Sequence, residues 1–199
     1  MHYDLTVVIP VYNEEACIEN VVRSWLEMLD RLSIQYQMLV LNDGSTDDTL
    51  THLISFDHPC LQVIDKPNSG HGPTILQGYH RAVGIADWGF QCDSDDEMKP
   101  EAFPILREHR QTFDAMFGIR THRTQNVSRK FISAFSRWTI RRFFGPGMQD
   151  VNTPYRMIRA SVLRKIIEHI PDDTIAPNIL ISGTLIKNIT QNLLLPRPA

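Results

Sequence analysis

With 199 residues, 42% of them hydrophobic and 22% charged, the chain has enough apolar material for one well-packed core and too little for two. A formal net charge of −3 excludes a general nucleic-acid binder, which needs a basic surplus to meet phosphates. Cys17, Cys60 and Cys92 are odd in number and far apart, which suits a reduced intracellular chain better than a disulfide framework or a zinc site, and no apolar run approaches the ~20 residues that span a bilayer.

The first element is Leu5-Thr6-Val7-Val8-Ile9, β-branched and apolar throughout, as in a strand buried on both faces of a parallel sheet. Pro10 is expected to end it. From Glu14 to about Leu32 the residues Ile18, Val21, Val22, Trp25, Leu26 and Leu29 recur at three- and four-residue steps, which lays one apolar stripe along a helix. The unit repeats: strand Met38 to Leu41, turn Asn42-Asp43-Gly44-Ser45, and a helix start at Thr46-Asp47-Asp48, where a cap and acids suit the positive helix end. A third strand, Leu61 to Ile64, leads through Asn68-Ser69-Gly70-His71-Gly72 into a helix expected to open at Pro73. A fourth, around Trp88-Gly89-Phe90, runs into Asp93-Ser94-Asp95-Asp96-Glu97. Alternating units of this kind predict a parallel sheet covered by helices on both faces, with ligands at the carboxyl ends of its strands.

Beyond residue 100 a helix from Pro100-Glu101 carries Phe103 and Leu106, Asp114 to Arg120 reads as a strand, and Arg129 to Phe144 as a basic, aromatic helix. Asp150 to Arg156 leads into a strand through Ile158, followed by helices near Ala160 to His169 and Pro177 to Ile189. We expect a single domain over 1–199, with a nucleotide-binding half (about 1–100) and an acceptor-side half (about 101–190). The abrupt, partly apolar end at 193–199 reads as a truncation.

The three strand-end loops supply what a nucleotide site needs. Tyr12 can flank a base, Glu14 and Asp43 can accept hydrogen bonds from base or ribose, and Gly70 and Gly72 allow close backbone approach at a helix start. Carboxylates on alternate residues leave a strand end on one side, so Asp93, Asp95 and Glu97 can converge on one hard cation. An acidic surface turn is the other reading of that run, and Asp43-Gly44 alone spells an ordinary turn.

Ile9-Pro10-Val11-Tyr12-Asn13-Glu14-Glu15, Asn42-Asp43-Gly44-Ser45-Thr46-Asp47, Asn68-Ser69-Gly70-His71-Gly72 and Asp93-Ser94-Asp95 together resemble the inverting family 2 glycosyltransferases over roughly residues 4–185. The likeness is greatest to the polyprenol-phosphate hexosyltransferases, of which dolichyl-phosphate mannose synthase is typical. This resemblance implies an α/β, GT-A fold: three α/β/α layers around a mainly parallel, Rossmann-like sheet. It also implies a nucleotide site that includes Pro10, Tyr12, Glu14, Asp43, Gly70, Gly72 and Asp93, and a Mg²⁺ or Mn²⁺ ion on the DxD residues Asp93 and Asp95 with Glu97 as third ligand. Arg120 matches a donor-side arginine. Asp150 and Arg156 match the ends of an acceptor motif D-x-x-S-G-F-R, whose middle is here Asn152-Thr153-Pro154-Tyr155.

The implied activity is transfer of a hexose from a UDP- or GDP-sugar to an acceptor, with Asp95, Arg120, Asp150 and Arg156 as the catalytic set. A lipid phosphate such as dolichyl or undecaprenyl phosphate needs positioning by Arg156 more than it needs a base. A saccharide hydroxyl would instead require one, for which Asp150 is the candidate; Asp150 and Arg156 also read as a structural ion pair. Residues 129–144 interleave Phe131, Phe135, Trp138 and Phe143 with Arg129, Lys130, Arg137, Arg141 and Arg142. That composition suits contact with an anionic membrane surface from the cytoplasmic side, or equally an ordinary amphipathic helix. A nucleotidyltransferase or NAD enzyme would want a glycine-rich loop after the first strand, where Pro10-Val11-Tyr12 stands; a non-catalytic nucleotide-sugar-binding module is the remaining rival.

Overall fold

A computed structural model describes residues 1–95, 99–118 and 153–193, with side chains in the last helix described to residue 187. Among the described residues six strands make one sheet: β1 (Tyr3–Val11), β2 (Tyr36–Asp43), β3 (Leu61–Lys66), β4 (Ala86–Gln91), β5 (Ala115–Phe117) and β6 (Arg156–Arg159). Their spatial order is β3-β2-β1-β4-β6-β5. The first four run parallel, and β6 is antiparallel to both β4 and β5, which is the expected mainly parallel sheet. The described α-helices are α1 (Ile18–Asp30), α2 (Thr49–Ile54), α3 (His71–Ile85), α4 (Phe103–Glu108), α5 (Ala160–Ile167) and α6 (Pro177–Leu193).

The residues divide into two compact units, 1–118 with 154–177 and 119–153 with 178–199. The first holds the sheet and all that follows. Of the second, Thr153 and most of α6 are described.

β1 sits in the middle of the parallel strands and is buried on both faces, which is why its sequence is apolar without alternation. Leu5, Val7, Ile9 and Val11 pack with the α1 stripe and with Met38, Val40, Trp88 and Phe90. The other face meets α3, where a Cβ on Gly78 would lie 2.3 Å from Val8 Cγ1, so only a hydrogen side chain lets that helix settle on the sheet. A cluster of Trp25, Phe90, Phe103 and Tyr155 closes the α1 side, with ring centroids 4.8–6.0 Å apart in tilted and edge-on pairs.

Three boundaries differ from the sequence expectation, each for a backbone reason. β1 continues through Pro10 to Val11. The Cys92 N–H donates to the Val8 carbonyl at 3.2 Å, so residues in step with Val8 face β4. Pro10 lies beyond Val8, the last β1 residue paired there, where its missing N–H breaks no ladder. α1 opens at Ile18 rather than Glu14, because Asn13 takes a left-handed φ of 54° and the Glu14 and Glu15 N–H groups bond across to the next loop. α3 opens at His71, capped by Gly70 at φ 94°, so Pro73 falls on the third helical residue, whose N–H is also without an intrahelical partner. In the region expected as strand 114–120, β5 covers Ala115–Phe117 and Gly118 N–H still pairs with the Tyr155 carbonyl at 2.8 Å.

Candidate active site

A cleft of about 440 Å³ opens at the carboxyl ends of β1, β2 and β4. Pro10, Val11, Tyr12 and Glu14 line it from the loop after β1, and Asp43 from the end of β2. Asn68, Gly70, His71 and Thr74 line it from the entry of α3, and Asp93, Ser94 and Asp95 from the loop after β4. Pro10, Tyr12, Glu14, Asp43, Gly70, Asp93 and Asp95, separated by as much as 85 positions in the sequence, thus meet around one space. This is the edge at which open α/β sheets take ligands.

The walls are stitched together by bonds from short polar side chains to backbone and to one another. Asn13 N–H donates to Ser45 Oγ at 3.0 Å, and Asn13 Oδ1 accepts the Thr46 N–H at 2.8 Å. Glu14 N–H donates to Thr49 Oγ1 at 2.8 Å, while Glu15 Oε2 accepts the Asp48 N–H at 3.0 Å. Asn42 donates to Asp65 at 2.7 Å and accepts from Ser45 Oγ at 2.5 Å. Short polar side chains at these turns replace the ladder partners that the loop backbone has lost. Tyr12, half-exposed at 49%, is left with an accessible ring at the rim.

Asp43 is the hub of the second wall. Its Oδ1 pairs with the Lys66 ammonium and accepts the Ser69 N–H at 2.8 Å, and Oδ2 accepts the Gly70 N–H at 2.9 Å. Burial would raise this carboxyl, but the bonds from Lys66, the Ser69 N–H and Thr74, with the Lys66 charge, outweigh it and hold the group below its ordinary value. The turn itself needs Gly44, at φ 68°, where a Cβ would stand 2.7 Å from the Asn68 nitrogen.

On the third wall Asp93 is one quarter exposed, and its Oδ1 lies 3.3 Å from Gln91 Nε2 and 3.7 Å from His71 Nε2. Asp95 is exposed at the mouth. Among the described residues no three candidate ligands cluster. Asp93 and Asp95 offer hard carboxylate oxygens beside one cleft, a donor set that fits Mg²⁺ or Mn²⁺ when phosphate oxygens and water complete the shell. The third expected ligand, Glu97, lies outside the described residues, as do Arg120, Asp150 and the helix expected over 129–144.

Two expected site residues are not among those that line this cleft. Gly72 does not line the cleft. A Cβ there would meet the backbone carbonyl oxygens of Thr174 and Ile175 at 2.2 and 2.3 Å, so the close approach that this glycine permits is that of the 174–175 segment. Arg156 is not among the lining residues either. It is fully buried on β6, with its guanidinium 5.4 Å from the Phe117 ring centroid. Tyr155, in the divergent middle of the acceptor-like motif, is a core aromatic at 1% exposure. Conversely, Asn68, His71, Thr74 and Ser94 line the cleft without having been singled out as site residues. Asn68 and His71 stood within the quoted motif, whereas Thr74 could have been found one helical turn beyond Gly70.

Residues 6–168 match the model of the glycosyl transferase family 2. The chain is 26% identical over 184 residues to the undecaprenyl-phosphate 4-deoxy-4-formamido-L-arabinose transferase of Shewanella sediminis, covering 90% of this chain and 55% of that protein. It is 28% identical over 169 residues to the protein of that name from Pectobacterium carotovorum, covering 82% and 51%. The chain therefore spans about half the length of the curated relatives it matches. Among solved structures it is similar to glucosyl-3-phosphoglycerate synthase from Mycobacterium tuberculosis in complex with Mn²⁺, UDP and glucosyl-3-phosphoglycerate, with a TM-score of 0.58 and 22% identity over 80% of this chain and 58% of that one.

Proposed function

The chain belongs to glycosyl transferase family 2, and from that premise we propose that it carries the donor site of an inverting, metal-dependent transferase that moves a hexose from a UDP- or GDP-sugar to a polyprenyl phosphate. The observation that carries this reading is the convergence of Tyr12, Glu14 and Asp43 with Asp93 and Asp95 around one cleft. The relatives named for undecaprenyl-phosphate chemistry support the lipid acceptor, and the Mn²⁺ and UDP of the solved neighbour support the metal.

In this reading the base lies against Tyr12 near Glu14, and the diphosphate passes the entry of α3, where Gly70, His71 and Thr74 give it polar neighbours. Asp93 and Asp95 would hold a divalent cation, which when bound would supply neutralising charge to the nucleoside diphosphate leaving group. The stitched loops hold the donor rigidly while the acceptor attacks from the opposite face of the sugar. For the acceptor side we propose Arg120 as a further cation on the donor phosphates and Asp150 as acceptor-facing; the burial of Arg156 fits a supporting position behind the site better than direct contact. Among the described residues no helix is long and apolar enough to cross a membrane, and contact with the cytoplasmic membrane face is proposed for residues 129–144.

A thermal-shift series with UDP, GDP, ADP and TDP, with and without Mn²⁺, tests the reading. One nucleotide should stabilise the protein by ~2.7 kcal/mol at ~100 times its dissociation constant with Mn²⁺ present, and by clearly less without the metal or in Asp95→Ala. Absence of any metal-dependent shift would overturn it.

A further inference from the structure

Gln91 closes β4 and is completely buried, a poor place for an amide unless both of its ends are bonded. Both are. The Tyr79 hydroxyl, itself inside the fold on α3, donates to Gln91 Oε1 at 3.0 Å, and Gln91 Nε2 reaches Asp93 Oδ1 at 3.3 Å. Burial raises the Tyr79 phenol, so it stays protonated and can donate. With the phenol donating into Oε1, the amide turns its N–H₂ toward the carboxylate; the reverse orientation would set Oε1 against a negative charge. The chain of bonds begins on the helix whose first turn forms one wall of the cleft and ends on the first acid of the opposite wall.

We infer that Tyr79 and Gln91 are positioning residues that hold the Asp93 carboxylate in the orientation in which it receives the donor's divalent cation. The inference rests on the donor-site reading above. An apolar side chain at position 91 would pack in the same volume without the desolvation of an amide, and what the amide adds is a fixed direction for Asp93. Ligands steered in this way by an outer partner lose 10- to 100-fold in metal affinity when that partner is removed.

The test measures Mn²⁺ binding, not turnover. Free Mn²⁺ is followed by electron paramagnetic resonance in the presence of saturating UDP or GDP, whichever stabilises wild type, and binding of that nucleotide without metal is followed by calorimetry, for wild type, Tyr79→Phe, Gln91→Met and Tyr36→Phe. Tyr36 serves as control because its hydroxyl bonds to Asp30 at 2.5 Å, at the opposite end of β2 from the cleft. Tyr79→Phe and Gln91→Met are expected to weaken Mn²⁺ binding about 10-fold and to leave the metal-free affinity for that nucleotide within about twofold of wild type. Tyr36→Phe is expected to leave both unchanged even if it lowers stability. Unaltered Mn²⁺ affinity in folded Tyr79→Phe would overturn the role, whatever becomes of Gln91→Met. A Tyr36→Phe variant as impaired as Tyr79→Phe would also overturn it, by showing that general loosening suffices. Wild type that takes up no Mn²⁺ with either UDP or GDP would instead sink the donor-site reading, and this role with it.

Discussion

Lys66, the last residue of β3, pairs with Asp43, the last residue of β2, and both side chains are almost sealed from solvent, at 12% and 4% exposure. The ammonium also donates to the Pro67 carbonyl at 3.0 Å, Ser69 Oγ at 2.7 Å and Thr74 Oγ1 at 3.1 Å. Lys66 thereby ties the ends of two strands to the loop and first turn of α3. The pair belongs to the frame of the cleft as much as to its surface.

Removing one partner of such a pair leaves the other charge buried, which costs more than the pair contributes. Lys66→Met is expected to lower stability by ~3 kcal/mol, read from urea unfolding. Adding Asp43→Asn should recover part of that loss, since no uncompensated charge then remains. Equal losses in the single and double variants would show that the ammonium acts only through its bonds to Pro67, Ser69 and Thr74.

The same pair sets a pH dependence. Asp43 is held below its ordinary value of 3.8, so folding favours its ionised form. The resulting stability is fully present above 3.8 and is lost as the pH falls through the depressed folded value. Asp43→Asn lacks this contribution. The stability difference between wild type and Asp43→Asn is therefore expected to be constant near neutrality and to shrink below 3.8, as followed by thermal melts across the acid range.

Two glycines of α3 give opposite expectations. At Gly84 nothing lies within 4 Å of an added Cβ, so Gly84→Ala is expected to stabilise by about 0.5–1 kcal/mol through lower unfolded-state entropy. At Gly72 an added Cβ would collide with two backbone carbonyls, which cannot rotate away as a side-chain tip can. Gly72→Ala is expected to cost about 1–3 kcal/mol and to weaken UDP binding by shifting the entry of α3. Chemical denaturation of the two variants decides both.

The sheet and its first four strands were legible because β1 and β2 are buried on both faces and carry unbroken apolar runs, and the α1 stripe was legible because its spacing is helical. The motif residues were legible as a group, but their division of labour was not. Asn42, Ser45 and Asp47 stand in the quoted motif beside Asp43, and their side chains bond Asp65, the Asn13 N–H and the Glu15 N–H. Asp43 looks like a reader of the base and spends both oxygens on Lys66, Ser69 and Gly70. Gly72 illustrates the limit most directly: spacing shows that a backbone needs room there, while which segment fills the room depends on a loop a hundred residues later.

Tyr155 carries the last prediction, because it separates an acceptor-reading role from a packing role for the divergent motif. Its ring lies 4.8 Å from Phe90 and 6.0 Å from Trp25 between centroids, while among the described residues its hydroxyl makes a long 3.4 Å bond to the Lys99 carbonyl. Burial raises the phenol, so it remains neutral throughout the working range. If the residue is a core plug, Tyr155→Ala should cost ~3–5 kcal/mol for the aromatic volume it removes. Tyr155→Phe should change stability by less than ~1 kcal/mol, because the lost bond is weak, and should leave donor binding and turnover intact. A Tyr155→Phe protein that is as stable as wild type but has lost transfer to a lipid phosphate would assign the hydroxyl to the acceptor instead.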